Sequence, residues 1–152
     1  MNDVMIAKVA LMKILVKKLH PDAVLPAYAH GPAEDAGLDL HALERVELMP
    51  GAAQPVPTGI AIELPPGYEA QVRPRSGLAL KYSVTVNFGT IDPGYRGEIR
   101  VIMFNLGKSP YVVERWDRIA QLVVSGYEAI QWEEGNLGDS ARGEGGFGSS
   151  GR

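Results

Sequence analysis

Short apolar segments separated by turn-forming residues limit the folds open to this chain more than any other feature. Two of them alternate regularly between apolar and polar positions: Tyr68–Arg73, and Glu98–Phe104, where Ile99, Val101 and Met103 share one side. Alternation with a period of two predicts strands with one face buried and the other facing solvent. The chain is therefore expected to build its core from sheets.

The other predicted strands are shorter and recur about every ten residues. They are Lys13–Lys17, Leu38–Ala42, Val46–Met49, Ile60–Leu64, Val84–Val86, Tyr111–Val113 and Ile119–Val124. The stretches between them contain Pro-Gly and similar turn signals, as in Pro65-Pro66-Gly67. Helical periodicity is weak, and Ser76–Tyr82 offers a turn or two at most. The pattern predicts an all-β fold, a jelly-roll-like β-barrel or sandwich.

Composition restricts the class of partner. The 152 residues carry a formal net charge of -3, which argues against a broad nucleic-acid-binding surface. The sequence contains no cysteine, which excludes disulfides and thiolate metal ligands and fits a reducing compartment. We therefore expect a cytoplasmic protein with no nucleic-acid partner.

The N-terminal segment Val4–Val16 is apolar, but Lys8 and Lys13 interrupt it and it is too short to span a membrane. Asn2 and Asp3 do not fit the start of a secretory signal. We expect no membrane association. The segment is interpreted as an edge strand, or as an extension of residues 1–11 before a start at Met12.

The composition changes after Glu134. Residues 135–152 are rich in glycine, with Leu137 and Phe147 as their large apolar side chains, and such a segment cannot build a core. The sequence thus predicts a β domain over residues 1–134, followed by a mobile arm over residues 135–152. The arm is either a plain flexible tail or a segment that becomes ordered on a ligand or partner.

Pro74-Arg75-Ser76-Gly77-Leu78 directly follows a predicted strand. An arginine fork, a serine hydroxyl and a glycine that lets backbone come close suit phosphate oxygens. The plain alternative is a surface turn with one exposed arginine.

Asn87 to Gly97 contains an Asp-Pro-Gly turn signal. The functional interpretation is a hairpin whose backbone contacts a flat base, with Asp92 as a base for water and Tyr95 as a platform for a sugar. A turn without any such role is the alternative.

Two further segments carry polar groups beside strands. Asp39 stands among apolar residues where a strand begins, and Gln121 interrupts the apolar strand after Asp117-Arg118. The carboxylate suits a hydrated Mg²⁺ ion, although turn and edge polarity explain both residues equally. In the tail, Arg142, Phe147 and two serines among glycines suit a clamp on a nucleotide, since an aromatic ring stacks on bases and arginine pairs with phosphate.

Taken together, five segments in this order resemble the trimeric dUTPase family from about Ala36 to Gly151. They are Ala36-Gly37-Leu38-Asp39-Leu40, Pro74-Arg75-Ser76-Gly77-Leu78, Gly89-Thr90-Ile91-Asp92 through Tyr95-Arg96-Gly97, Asp117-Arg118-Ile119-Ala120-Gln121 and Arg142-Gly143-Glu144-Gly145-Gly146-Phe147-Gly148-Ser149-Ser150-Gly151. The fifth is the most specific, because few other families end in this way.

The resemblance implies hydrolysis of dUTP to dUMP and pyrophosphate, by a homotrimer whose active sites are shared between chains. Asp92 is then the general base that activates water for attack on the α-phosphorus. Asp39, helped by Gln121, holds the Mg²⁺ cofactor through water. This reaction limits uracil in DNA and supplies dUMP for dTMP synthesis.

The same resemblance implies that residues of four motifs, together with Asn87 and Arg100 beside the third, contact the substrate dUTP. They are Arg75, Ser76, Gly77, Asn87, Gly89, Thr90, Ile91, Tyr95, Arg100, Gln121, Arg142, Gly146, Phe147, Gly148, Ser149 and Ser150. The segment from Asn87 to Asp92 recognises uracil, and Tyr95 packs under the deoxyribose and leaves no space for a 2′-hydroxyl. Phe147 covers the uracil, while Arg142 and the two serines close over the γ-phosphate.

This sequence departs from the family pattern at two positions. Relatives commonly have another residue, often proline, between the asparagine and the Gly-Thr-Ile-Asp run, whereas Asn87-Phe88-Gly89 is shorter. Trp116 stands where relatives often have glycine. The first departure bears on how Asn87 contacts uracil, and the second on the turn before Asp117.

Two alternatives stay open. The related dCTP deaminase family has an Ile-Asp-Pro-Gly stretch like Ile91–Gly94, but needs a catalytic glutamate at the position of Ile102, which cannot carry a proton. A catalytically silent trimer that binds nucleotide is the other; Asp39, Asp92 and Arg142 together count against it. A purely structural β-sandwich leaves the tail motif unexplained. The three histidines have no metal-site spacing.

Overall fold

The computed structural model describes residues 9–151 and contains, within them, eleven strands and one short helix. In chain order they are β1 Leu15–Lys18, β2 Leu38–His41, β3 Val46–Leu48, β4 Ala53–Pro57, β5 Ile60–Glu63, β6 Tyr68–Arg73, α1 Ser76–Tyr82, β7 Val84–Val86, β8 Gly89–Ile91, β9 Arg100–Asn105, β10 Tyr111–Val113 and β11 Arg118–Gly126.

The strands form four antiparallel sheets. The largest has the order β2-β11-β6-β8, and a second has the order β4-β9-β7. Two-stranded sheets pair β1 with β5 and β3 with β10. None of these sheets, within residues 9–151, closes on itself, so the architecture is an open sandwich of the jelly-roll type. The prediction of an all-β, jelly-roll-like fold is confirmed.

The core lies between the sheets and is filled by the apolar side of each alternating strand. Ile99, Val101 and Met103 are buried on one side, as their spacing predicted, and Ala70 and Val72 are buried on β6. Full burial of a side chain of this size contributes about 1.5–3 kcal/mol. Burial of the apolar residues therefore determines which residues of each strand face outward.

β4 was not among the predicted strands, and prolines explain the omission. Pro55 and Pro57 lie within it, opposite Ile102 and Arg100 of β9. Proline lacks the amide hydrogen that a central strand needs, but it is tolerated where one edge has no neighbour. β4 is the outer strand of its sheet, so the prolines also protect that edge from further pairing.

The hairpin predicted between Asn87 and Asp92 is not formed by paired strands. β7 pairs with β9, whereas β8 pairs with β6 in the other large sheet. Asn87 and Phe88 are thus the crossing between two sheets, and the Asn87 amide donates to the carbonyl of Ile102 at 2.8 Å. The correction follows from long-range pairing, which alternation along the chain does not reveal.

Within the described residues, the first and last segments carry little regular structure. Residues 1–8 of the predicted extension lie outside the described residues, and residues 9–11 form neither strand nor helix. After β11, residues 127–151 contain neither element, and the hydrogen bonds within residues 128–151 are all local to that segment. In the described part of the chain, no helix is long and apolar enough to cross a membrane.

Asn105 is the polar group most deeply involved in the core. Its side chain is 1% exposed, and its amide donates to the carbonyls of Leu48 at 2.9 Å and Ser109 at 2.8 Å. Its Oδ1 accepts the amide hydrogen of Gly107 at 2.9 Å. One side chain therefore joins β3, the end of β9 and the following turn.

We predict that Asn105→Ala lowers the free energy of unfolding by about 3 kcal/mol, because two carbonyls and one amide lose their partner in a buried site. Denaturant unfolding followed by circular dichroism at fixed protein concentration measures the change. Asn136→Ala, in the exposed tail, is the matched control and should stay within about 0.5 kcal/mol of wild type. A loss below 1 kcal/mol for Asn105→Ala would show that the network contributes little.

Candidate functional site

A cavity of about 320 Å³ lies beside β8 and the start of β9. Six predicted site residues line it: Gly89, Thr90, Ile91, Asp92, Tyr95 and Arg100. A larger cavity of about 480 Å³ lies against the N-terminal segment, but its lining is mostly apolar and includes none of the predicted site residues. The smaller cavity is therefore the candidate site, because its wall contains the side chains of Asp92, Tyr95 and Arg100.

Tyr95 is fixed by the turn that follows β8. Its amide donates to the carbonyl of Asp92 at 3.1 Å, and its hydroxyl donates to the carbonyl of Glu98 at 2.8 Å. The ring passes so close to Gly97 that a Cβ there would collide with it. The glycine in this motif thus has a steric role, since it leaves room for the tyrosine ring at the cavity.

Glu98 also lines the cavity and was not predicted as a site residue. Its Oε1 accepts from Nε of Arg100 at 2.9 Å, and its Oε2 accepts the amide hydrogen of Gly59 at 3.0 Å. The bond from Glu98 raises the pKa of Arg100 above its usual value. Its spacing of two residues from Arg100 was the signal that could have indicated this pair, because such residues share one side of a strand.

Two further predicted residues, Asp39 and Gln121, lie across the large sheet, together with Arg73, which was not predicted. Asp39 of β2, Gln121 of β11 and Arg73 of β6 occupy facing register positions, which places their side chains on one face. The Gln121 amide donates to the carbonyl of Pro74 at 3.2 Å. A Cβ on Gly37 would lie 2.5 Å from Oε1 of Gln121, so a larger residue here would displace the end of the glutamine side chain.

Asp39 has two guanidinium groups beside it. Nε of Arg75 lies 4.0 Å from one carboxylate oxygen and Nη1 of Arg118 lies 3.7 Å from the other. Arg75 also donates to the carbonyl of Arg118 at 2.9 Å. Ser76 and Gly77 follow Arg75 as the first residues of α1 and are exposed. The second and fourth motifs are therefore joined to Asp39 within one polar cluster.

His41 lies two residues beyond Asp39 on β2, opposite Arg118. Burial is the main cause that lowers its pKa; Asp39 opposes this shift, and Arg118 and Arg75 add to it. Its Nδ1 is buried and has no hydrogen-bond partner among the described residues. Neither His41 nor Arg118 was predicted as a site residue, although both lie close to Asp39.

Trp116 adopts a backbone φ of +69°, the left-handed conformation that favours glycine. Its indole Nε1 donates to the carbonyl of Asp22 at 3.0 Å, and its amide donates to that of Ala42 at 2.7 Å. These bonds hold the turn in the conformation that glycine adopts without strain. Although Trp116 replaces the glycine that is common in relatives, the turn before β11 is still formed.

The cavity and the Asp39 cluster are separate within one chain. Asp92 follows Ile91, which faces Ala70, whereas the cluster is level with Arg73 at the other end of β6. With ~3.3 Å per residue along a strand and ~4.8 Å between strands, Asp92 and Asp39 lie on the order of 20 Å apart.

The predicted arm residues contact neither place. Arg142 donates to the carbonyl of Gly145 at 2.6 Å, and Ser149 to that of Gly146 through its amide. Phe147 is fully exposed. Within residues 9–151, the structure thus brings together the residues of the first, second and fourth motifs, and separately those of the third, while the fifth stays apart.

With this geometry described, comparison with known proteins defines the class. The chain is an all-β protein of the nucleotide-hydrolase type, and the family model described as dUTPase matches residues 24–151. The chain belongs to the dUTPase family. A deoxyuridine 5'-triphosphate nucleotidohydrolase from Solibacter usitatus is 64% identical over 143 residues, which are 93% of this chain and 97% of that protein.

Solved structures agree. A dUTPase variant of Staphylococcus bacteriophage 80alpha with dUpNHpp superposes with a TM-score of 0.87 at 28% identity, and the match covers 92% of this chain and 99% of that one. A dUTPase variant from phage phi11 of S. aureus has a TM-score of 0.78 at 24% identity, over 83% of this chain and 98% of that one, and shares the fold. Its description concerns the coordination of a structural Mg(II) ion in that protein.

The loop that leads into Asp39 is closed by its own ion pair. The amide of Asp39 donates to the carbonyl of Ala27 at 2.8 Å. Within the loop, the amide of His30 donates to Oδ2 of Asp35 at 2.6 Å, and the His30 ring lies 3.0 Å from Oδ1. The hydrogen bond with Asp35 raises the pKa of His30, and that with His30 lowers the pKa of Asp35.

We predict that the His30–Asp35 pair stabilises the protein in mildly acidic solution and less so at alkaline pH. The contribution of a group with a raised pKa is complete below its unfolded value of 6.5 and is lost as pH rises through the folded value. The Asp35 contribution is present above 3.8 and is lost in stronger acid. His30→Ala should therefore lower the melting temperature more at pH 6 than at pH 9.

Thermal unfolding of wild type, His30→Ala, Asp35→Ala and the double variant at both pH values tests this. The double variant should unfold near the less stable single variant, since the two groups act on each other. Equal losses for His30→Ala at pH 6 and pH 9 would contradict a contribution from the charged pair.

Proposed function

We propose that this chain hydrolyses dUTP to dUMP and pyrophosphate, with Asp92 as the general base. The observation that carries the proposal is the 320 Å³ cavity, where a carboxylate, a tyrosine ring and an open strand edge meet. The relatives in the same family bear this activity in their names, and a solved relative is described with the nucleotide dUpNHpp.

Uracil recognition is assigned to β8. This strand is the outer one of its sheet, so one edge of Gly89–Ile91 has backbone amides and carbonyls without strand partners. Uracil presents an acceptor, a donor and an acceptor along its pairing edge, which alternating backbone groups can match. Cytosine presents a different order of groups and would leave some of them unpaired, which is costly in a partly closed site.

Sugar selection is assigned to Tyr95. Its hydroxyl is engaged with the carbonyl of Glu98, so the ring offers a flat apolar surface and no free donor. A deoxyribose packs on such a surface, whereas a 2′-hydroxyl would bring a polar group against it without a partner. We infer that this contact disfavours UTP.

The chemical step requires a base beside water. Asp92 is exposed in the cavity and is a carboxylate that can accept a proton from water as the water oxygen attacks the α-phosphorus. The bond from this phosphorus to the bridging oxygen then breaks, and pyrophosphate leaves with the bond electrons. The products are dUMP, pyrophosphate and one proton.

The residues near Asp39 fit a hydrated Mg²⁺ ion bound to the triphosphate. No group of three or more acidic, histidine or cysteine side chains suitable for a metal is found among the described residues, so a fully protein-bound ion is not indicated. Mg²⁺ usually keeps several waters and uses one or two carboxylates with substrate phosphates. Asp39, with Gln121 beside it, offers one carboxylate and one amide oxygen of this kind.

When bound, Mg²⁺ would neutralise phosphate charge and polarise the phosphoryl group. Arg75 and the exposed amides of Ser76 and Gly77 would add hydrogen bonds to phosphate oxygens. Arg118 lies in the same cluster and adds positive charge to it.

We propose a homotrimer with shared active sites because one chain does not complete a site. The separation of Asp92 from Asp39, on the order of 20 Å, exceeds what one metal-bound triphosphate can bridge at the reacting phosphorus. We infer that residues 135–152 act as a mobile arm. Among residues 135–151 the hydrogen bonds are local to the segment, so the arm is free to close over the site of a neighbour. Phe147 would then cover uracil, and Arg142, Ser149 and Ser150 would meet the γ-phosphate.

The two alternatives are weaker on the geometry. Ile102 lines the cavity and is the position at which a deaminase needs a glutamate. A silent nucleotide-binding trimer would have no use for an unpaired carboxylate at Asp92. A cytoplasmic location belongs to the same proposal, since a chain without cysteine suits a reducing compartment.

We predict Mg²⁺-dependent release of pyrophosphate from dUTP, with much less from dCTP, dTTP and UTP, and its loss on chelation with EDTA. Asp92→Asn should lower kcat by about 10²- to 10⁴-fold, since the amide cannot accept the proton, while dUpNHpp still binds. Glu44→Gln, an exposed carboxylate elsewhere, is the control. Ammonia from dCTP would support the deaminase, and binding without turnover in wild type would support the silent binder.

We also predict that two inactive variants restore activity when they are co-expressed. One is Asp92→Asn, and the other ends at Glu134 and lacks the arm. If arms close over neighbouring chains, about a quarter of the sites in mixed trimers combine an intact Asp92 with an intact arm. The control pairs Asp92→Asn with a chain carrying both changes, which should stay inactive. Purified mixed trimers without activity would contradict shared sites.

A further inference from the structure

We propose that Glu98 is a positioning residue for the nucleotide cavity, whose carboxylate aligns Arg100 and thereby sets the affinity for dUTP. The inference rests on the proposed function of the cavity. Glu98 lies outside the set of site residues predicted from the sequence.

Glu98 connects three separate parts of the cavity wall. Its carboxylate accepts from the Gly59 amide at 3.0 Å and from Nε of Arg100 at 2.9 Å, and its carbonyl accepts the hydroxyl of Tyr95 at 2.8 Å. The side chain is 18% exposed. A carboxylate in a site for a polyanion opposes binding unless it is neutralised, so its presence needs a compensating role.

The two carboxylate oxygens are matched to two donors, and no neutral isostere can replace them. In Glu98→Gln one oxygen becomes an NH₂ group, which would face either the Gly59 amide or the Arg100 guanidinium, a donor against a donor. The Gly59 side of the contact is held by the backbone, because the carbonyl of Gly59 accepts the amide hydrogen of Leu19 at 2.7 Å. The mismatch therefore falls on Arg100.

Arg100 depends on this contact for its orientation. Its side chain is 63% exposed, and Glu98 is its side-chain partner among the described residues. A long exposed side chain loses rotamer freedom when it binds phosphate or sugar oxygens. Because the bond to Glu98 engages Nε, both terminal nitrogens keep their hydrogens for a ligand. The carboxylate thus orders the arginine before substrate arrives.

The test compares Glu98→Gln, Arg100→Met and the double variant with wild type as full-length protein. We expect Glu98→Gln to raise KM for dUTP about tenfold and to change kcat by less than about threefold, since it weakens binding and leaves Asp92 in place. The ratio of kcat/KM for dUTP to that for UTP should stay within about twofold of wild type, because the substitution keeps the backbone carbonyl that holds Tyr95. In the Arg100→Met background, Glu98→Gln should add less than about twofold.

Glu114→Gln is the matched control, because it removes a carboxylate beside an arginine, Arg45 at 3.7 Å, away from the cavity. Its KM should equal that of wild type. Denaturant unfolding of every variant separates positioning from a general loss of structure, which would lower kcat and stability together without coupling to Arg100.

Calorimetric binding of dUpNHpp separates this inference from the proposed reaction. If wild type binds dUpNHpp but does not hydrolyse dUTP, the proposed reaction is wrong. The positioning role of Glu98 is then tested by the Kd for dUpNHpp, which should be about tenfold weaker in Glu98→Gln. If KM and Kd of Glu98→Gln stay within twofold of wild type, or if the effects of Glu98→Gln and Arg100→Met multiply fully, the inference is overturned. Absence of dUpNHpp binding to wild type overturns both.

Discussion

The pairing of β6 with β8 on one edge and β11 on the other is the constraint on which the site depends. Through β8 it places the Gly89–Ile91 edge beside the cavity, and through β11 it brings Gln121 level with Arg73 and Asp39. A register shift of one residue would turn every side chain of a strand to the opposite face. Since Ala70 and Val72 must stay buried, the core and the polar face are specified by the same alternation.

The carboxylates of the two parts of the site differ in whether an arginine lies beside them. Asp39 lies between Arg75 and Arg118, and Glu98 is paired with Arg100. Asp92, in contrast, forms no ion pair with any residue between positions 9 and 151. On the proposed function, Asp92 faces the attacking water, whereas the paired carboxylates bind and align other groups.

Much of the fold could be predicted from local sequence, and the exceptions have physical causes. β6 and β9 alternate clearly enough to give both their existence and their buried face. β4 was not predicted because it contains Pro55 and Pro57. Proline is compatible only with an edge strand, and which strand lies at an edge is known only once the whole sheet is known. The Glu98–Gly59 contact joins residues 39 positions apart, so no local pattern indicates it. The order of the motifs led to the predicted set of site residues, but it did not indicate their division into two places within one chain.

That division gives the arm a thermodynamic role. An exposed segment with one aromatic ring, Phe147, cannot offset on its own the entropy of ordering about eighteen glycine-rich residues. On the proposed function, ordering is coupled to a nucleoside triphosphate on a neighbouring domain, which supplies charge and a flat surface together. On the proposed function, closure then occurs only when both the base and the terminal phosphate are present, so water is excluded at the moment when the attacking water is already bound. A permanently folded arm would protect the site equally well but would also retain pyrophosphate, which makes a weakly ordered segment the better solution for turnover.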